Sequence, residues 1–161
     1  MEQLSFLNYE KTNMVSKYRL TLVREESFPY NSQLNMPKKV VDFLRNELKL
    51  HQEPEEVFIV ICVSTQLYPV AVFEAARGTL KEAIVTLKDV LKRIILANCD
   101  GFFIAHNHPA GSNSPSTNDI RTTEKFAEAA KLLNYRFHDH IIIAEDSYYS
   151  FSENGLLPKG S

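Results

Sequence analysis

Cysteine occurs only twice in these 161 residues, at Cys62 and Cys99, too far apart to form a C-x-x-C metal or redox pair. Both sit in apolar stretches (VFIVICVS and ILANCDGFF), the setting of buried free thiols. No apolar run approaches the roughly 20 residues that cross a bilayer. The N-terminal MEQLSFLNYEKTNMVSKYR lacks both the basic start and the unbroken apolar stretch of a secretory signal. A cytoplasmic protein with no membrane partner is therefore expected. Nor is there an excess of one charge. Eighteen Lys and Arg stand against 20 Asp and Glu, scattered along the chain, for a formal net charge of −2. The overall balance thus lacks the basic footprint of a nucleic-acid binder. Internal repeats and low-complexity tracts are also missing.

What is present suits one globular domain, with 44% hydrophobic and 24% charged residues. Residues 1–16 are polar and irregular and read as a leader, leaving 17–161 as the domain. Alternation in YRLTLVR predicts a strand over Tyr18–Arg24. Pro37 opens an amphipathic helix reaching about Leu50, with Val40, Val41, Leu44 and Leu48 on one face. Glu56–Val63 is nearly continuously apolar, the pattern of a strand buried on both faces. Leu67–Glu74 reads as its neighbour, and Thr79–Val85 as an extended piece. Thr86-x-x-Asp89 resembles a capping box before a helix carrying Val90, Leu91, Ile94 and Ile95. Phe102–His106 is a buried strand and Asn107–Pro115 a loop. Ser116 or Thr117 caps a helix to about Asn134, with Ile120, Phe126, Ala127, Ala130 and Leu133 inward. Phe137–Ala144 and Ser147–Phe151 complete the set as strands. Helices alternate with strands, which makes the class α/β.

The chemistry concentrates in AHNHPAGSNSPSTND, residues 105–119. His106 and His108 at the end of a strand project to one side, because side chains alternate with period two. Two neutral imidazoles from one strand end make half of a zinc site. A Gly- and Pro-bearing loop that turns directly into a helix can deliver a third ligand, and Asp119 in the first helical turn is the candidate. Three protein ligands leave a fourth tetrahedral position for water, the arrangement of a catalytic zinc. Ser116-x-x-Asp119 is equally a helix-capping pattern, so a purely structural role for Asp119 competes with this reading.

His106-x-His108, seven residues, Ser116, two residues and Asp119 reproduce the H-x-H-x7-S-x2-D motif of the JAMM (JAB/MPN) metalloproteases. The fuller string resembles the RadC branch of that superfamily, and the likeness extends from about Glu56 to Leu157. It implies a single-domain JAB/MPN-like fold, related to the cytidine deaminases, with a mixed sheet flanked by helices. It also implies a stand-alone form, since the helix-hairpin-helix region of full-length RadC proteins has no evident counterpart. By resemblance His106, His108 and Asp119 bind Zn²⁺. Ser116 hydrogen-bonds a developing oxyanion or the bound water, or serves as a plain N-cap. Glu56 at the head of its strand is the general base, with Glu55 as fallback. Asp139 and His140, in His138-Asp139-His140, brace the metal loop or the sheet. A separate metal site there is disfavoured because Asp139 points to the opposite strand face. Two departures stand out: Ala110 replaces the usual Ser, and Leu87-Lys88-Asp89 replaces Pro-Arg-Glu.

The function so implied is a zinc-dependent hydrolase attacking an amide or isopeptide bond in a peptide substrate whose identity the motif does not give. RadC-like proteins carry a DNA-repair association that the resemblance imports without chemical warrant. A DNA-binding or DNA-processing protein is the alternative, and the charge balance does not support it. The contiguous letters H-N-H are not the dispersed signature of HNH nucleases. A non-catalytic MPN interaction module is a further alternative, although the full ligand set is kept here. A zinc deaminase lacks its H-x-E and P-C-x-x-C pattern. The oligomeric state is not encoded in any feature of the sequence.

Overall fold

In the computed structural model, which describes residues 15–78 and 85–158, every residue of VFIVICV is buried, as a strand covered on both faces requires. The elements in chain order are helix Pro37–Asn46 (α1), strands Val57–Val63 (β1) and Pro69–Arg77 (β2), and helix Leu87–Ala97 (α2). Strand Gly101–Asn107 (β3), helix Thr117–Leu132 (α3) and strands Arg136–Ile143 (β4) and Tyr148–Ser150 (β5) follow. They make a mixed sheet in the order β2-β1-β3-β4-β5, flanked by helices. β1 runs antiparallel to both β2 and β3, and β4 antiparallel to β5. Only β3 and β4 are parallel, and a parallel pair needs a crossover, which α3 supplies.

Strand periodicity sorts the core into two layers. Ile59, Ile61, Phe103, Ile141 and Ile143 face α1, which buries Val40, Val41, Phe43 and Leu44 against them. Phe58, Val60, Phe102, Ile104 and Phe137 face the other way, onto Val90 and Ile94 of α2 and Phe126, Ala127 and Ala130 of α3. Thr86 caps α2 by accepting from Asp89 N, and Asn98 ends it in the left-handed conformation, φ 50°. Pro37 opens α1 within its first turn, as anticipated.

Several expectations are corrected. Tyr18–Arg24 is not a strand: residues 15–34 carry no regular element, and Val15 and Leu20 are 98% and 79% exposed. Alternation reports a capacity to pair, whereas a strand also needs a neighbour, and no described strand lies against this segment. α1 stops at Asn46 rather than Leu50, because Lys49 turns left-handed (φ 53°) before a 3-10 turn at Leu50–Gln52. Ile95 and Leu133 lie outward, not in the core. Cys62 is buried but Cys99 only half-buried, and both are free thiols. Residues 79–84 of the expected Thr79–Val85 piece, and 1–14 of the leader, lie outside the described residues. Among the described residues no helix is long and apolar enough to cross a membrane.

Candidate metal centre

β3 ends with His106 buried to 1% on the α3 side of the sheet, directly opposite Phe58 of β1, whose ring stacks on the imidazole. His108 follows past the strand end, where its backbone N–H still bonds to Ile143 of β4 at 2.8 Å. The chain then reverses at Gly111, whose φ of 86° is a conformation that side-chain-bearing residues seldom adopt. That reversal brings the Ser112 carbonyl to 2.7 Å from His108 Nδ1. A carbonyl only accepts, so Nδ1 carries the proton and His108 Nε2 presents a lone pair.

α3 delivers Asp119. Ser116 Oγ accepts from Asp119 N at 3.1 Å, and Asp119 Oδ2 accepts from Ser116 N at 2.7 Å, a reciprocal capping box. Capping occupies only part of the carboxylate. Oδ1 stands 3.3 Å from His106 Nε2, and Oδ2 3.7 Å from His108 Nε2. The two imidazole Nε2 atoms are 3.0 Å apart. One ligand atom from each of His106, His108 and Asp119 thus falls within 4.8 Å of the others, a group that could hold a metal ion. Two nitrogens and a carboxylate oxygen facing one point are chemically apt for a cation, since each offers electron density toward the same small volume.

Electrostatics follows from burial and pairing. Burial pushes His106 down to about 4, with the Asp119 charge working upward and His108 downward. The Asp119 carboxylate, 3.7 Å away, raises His108 against its burial, with help from the Ser112 carbonyl and the Glu56 charge. Asp119 lies well below the usual carboxylate range: burial works to raise it, and His108, His106 and Ser116 together outweigh that.

Glu56 sits just before β1. Phe58 pairs with His106 in antiparallel register, so Glu56, two residues earlier and on the same face, lies beside His108, whose pKa its charge raises. Glu55 belongs to the other side, 3.7 Å from Arg77, which also binds Glu53 and Glu74. Ser116 lies at the helix entrance. Asp139 is directed away from the cluster, as alternation requires. It accepts from Ser150 Oγ, Ser152 Oγ, Ser152 N and His140 N at 2.5–2.9 Å and ties β4 to β5. Burial raises its pKa against those bonds.

Asn107 and Thr123 escape the sequence reading, whereas His140 is expected there to brace the metal loop or the sheet. Asn107, 2% exposed, points away from the histidines on either side of it. Its Oδ1 accepts from Val57 N at 2.8 Å, and its Nδ2 donates to Glu53 O and Glu55 O at 3.1 and 2.9 Å. It clasps the backbone on both sides of Glu56. His140 and Thr123 stand behind His106, with His140 Nε2 2.9 Å from His106 Nδ1 and Thr123 Oγ1 2.7 Å from His140 Nδ1. The sequence reading starts the loop at Asn107, whereas β3 runs through to it; the one available signal was a Thr on an otherwise apolar helix face.

The RadC-like JAB domain family matches residues 34–156 of the chain. A UPF0758 protein of Methylibium petroleiphilum is 40% identical over 121 residues, covering 75% of this chain and 54% of that protein. Another, from Thiobacillus denitrificans, is 39% identical over 132 residues, 82% of this chain and 58% of the relative. A third, from Neisseria gonorrhoeae, is 35% identical over 136 residues, 84% and 60% respectively. The chain therefore spans less than two thirds of the length of these relatives.

Proposed function

From the premise that the chain belongs to the RadC-like JAB domain family, we propose that it is a zinc-dependent hydrolase of the JAMM type, cleaving an amide or isopeptide bond in a peptide substrate in the cytoplasm. The observation that carries this reading is the convergence of His106 Nε2, His108 Nε2 and an Asp119 oxygen on one point, with Glu56 beside it. Zinc held by His106, His108 and Asp119 would supply Lewis acidity and lower the pKa of a water toward neutrality. The chain's own groups do the rest. Glu56 takes the proton of the attacking water and returns it to the leaving amine nitrogen. Ser116 Oγ accepts from the helix, which leaves its hydroxyl proton to donate to the oxyanion that forms on the substrate carbonyl. Asp119 holds its position through the capping box.

The test is elemental analysis of the purified protein, followed by turnover of peptide and isopeptide-linked substrates. About one zinc per chain is expected, lost in His106→Ala/His108→Ala. Glu56→Gln is expected to keep fold and zinc while turnover falls by roughly 10²–10⁴, the usual weight of a positioned acid–base group. Zinc without turnover by any substrate, with Glu56→Gln indistinguishable from wild type, would favour the interaction module. Salt-dependent DNA binding would favour the nucleic-acid reading.

A further inference from the structure

Thr123, His140 and His106 are each no more than 1% exposed, so the protons between them are set by the partners they have. The Thr123 hydroxyl has one proton, and it goes to the Asp119 carbonyl, one turn back in α3, at 2.7 Å. Its oxygen therefore accepts from His140 Nδ1 at 2.7 Å. With its proton on Nδ1, neutral His140 has a lone pair on Nε2, which accepts from His106 Nδ1 at 2.9 Å. His106 is then left with a bare Nε2, the atom facing His108 and Asp119. Stacking locks the ring planes: Phe151 lies on His140 (4.7 Å, 8°) and Phe58 on His106 (6.0 Å, 5°). The chain of bonds starts at the main-chain carbonyl of Asp119 and ends opposite its carboxylate.

We propose that Thr123 and His140 are positioning residues for the metal, a relay that holds His106 in the one tautomer able to bind a cation through Nε2. The inference rests on reading the cluster as a metal centre. Satisfying buried polar groups would alone explain the individual bonds, but not why two buried imidazoles, each stacked on a phenylalanine, have their donor sense set by a helix carbonyl. Apolar side chains would fill that space without desolvating four ring nitrogens.

Thr123→Val keeps the shape and removes the hydroxyl, freeing His140 to hold its proton on Nε2 and so to reverse His106. Thr123→Ser restores the hydroxyl. Zinc affinity is measured by competition with a chromophoric chelator, and ring tautomers by ¹⁵N NMR of chelator-treated protein. Relative to wild type, Thr123→Val is expected to bind zinc roughly 10- to 100-fold more weakly, the usual effect of a lost outer-sphere partner, and Thr123→Ser within about threefold. The His106 proton moves from Nδ1 to Nε2 in Thr123→Val alone. If Thr123→Val does not fold, Thr123→Ala takes its place with the same expectation. Wild-type affinity with the His106 proton still on Nδ1 overturns the relay while leaving the metal centre standing. Wild-type protein that takes up no zinc overturns the metal reading and the relay's purpose with it, whatever the tautomer spectrum shows.

Discussion

Asp119 divides its carboxylate between two tasks, with Oδ2 closing the capping box on Ser116 N at 2.7 Å and Oδ1 facing His106 Nε2 at 3.3 Å. Asp119→Asn keeps an oxygen for the cap and removes the charge. It is expected to lower zinc affinity at least about tenfold while costing the helix less than about 1 kcal/mol. Metal titration and urea denaturation of the same variant separate the two, and undiminished zinc uptake would remove Asp119 from the ligand set. A pH dependence follows from His106. Its folded pKa is about 4. Histidine in the unfolded chain titrates near 6.5, so as pH falls through that window the unfolded chain takes up a proton the folded one refuses, and stability declines. His140, also lowered chiefly by burial, works in the same direction. His108, raised by Asp119, has its stabilising share complete below about 6.5 and loses it only as pH rises through its folded value, so it adds no slope inside the window. Chelator-treated protein is expected to lose about 3 kcal/mol from His106 alone between about pH 7 and about pH 4. Urea midpoints across that range check it, and a level stability would contradict a buried neutral imidazole. At this scale the three candidate ligands were legible because one short segment carries them all. His140 was legible as a brace through the resemblance, but Thr123 was not, since only the packing of α3 on β4 brings it behind His140.

The elements place what single residues cannot. The register of β1 on β3, with Phe58 opposite His106, puts Glu56 on the face of the candidate cluster, while Glu55 lies beside Arg77. Asn107 then fixes the strand head from across the sheet. Asn107→Ala leaves the Glu53 and Glu55 carbonyls and the Val57 N–H without their partner. It is expected to destabilise by about 2 kcal/mol, the scale of an unsatisfied buried polar group. Turnover falls as Glu56 drifts while zinc content holds, and parallel zinc, melting and rate measurements check the pattern. Equal losses of zinc and rate would make Asn107 a support of the histidines instead. Buried strands and capped helices were readable from apolar runs and from Thr86, Ser116 and Pro37. Tyr18–Arg24 misled because local alternation cannot say whether a sheet edge is waiting.

Across the whole molecule, the sheet separates an α1 layer, where Asp139 and its serines tie β4 to β5, from the α2 and α3 layer that contains the candidate metal cluster. Residues 15–26 are all exposed and add little to either layer, whereas Phe28 and Tyr30 lie on Phe43. A chain beginning at Ser27 is expected to melt within about 3 °C of one beginning at Val15, less than 1 kcal/mol at this size. A larger drop in a calorimetric scan would show that the earlier segment packs against the domain. The α/β class was legible in the alternation of elements, and the pairing order was not, because nothing local dictates that β1 inserts between β2 and β3. That insertion has a kinetic consequence. The three candidate ligands belong to one strand–loop–helix hairpin, while Val57, next to Glu56, meets Asn107 across a separation of 50 positions. Short loops close early in folding and long ones late. On the proposed function, a refolding chain assembles the candidate ligand group before Glu56 joins it, and recovery of metal affinity is expected to precede recovery of turnover in time.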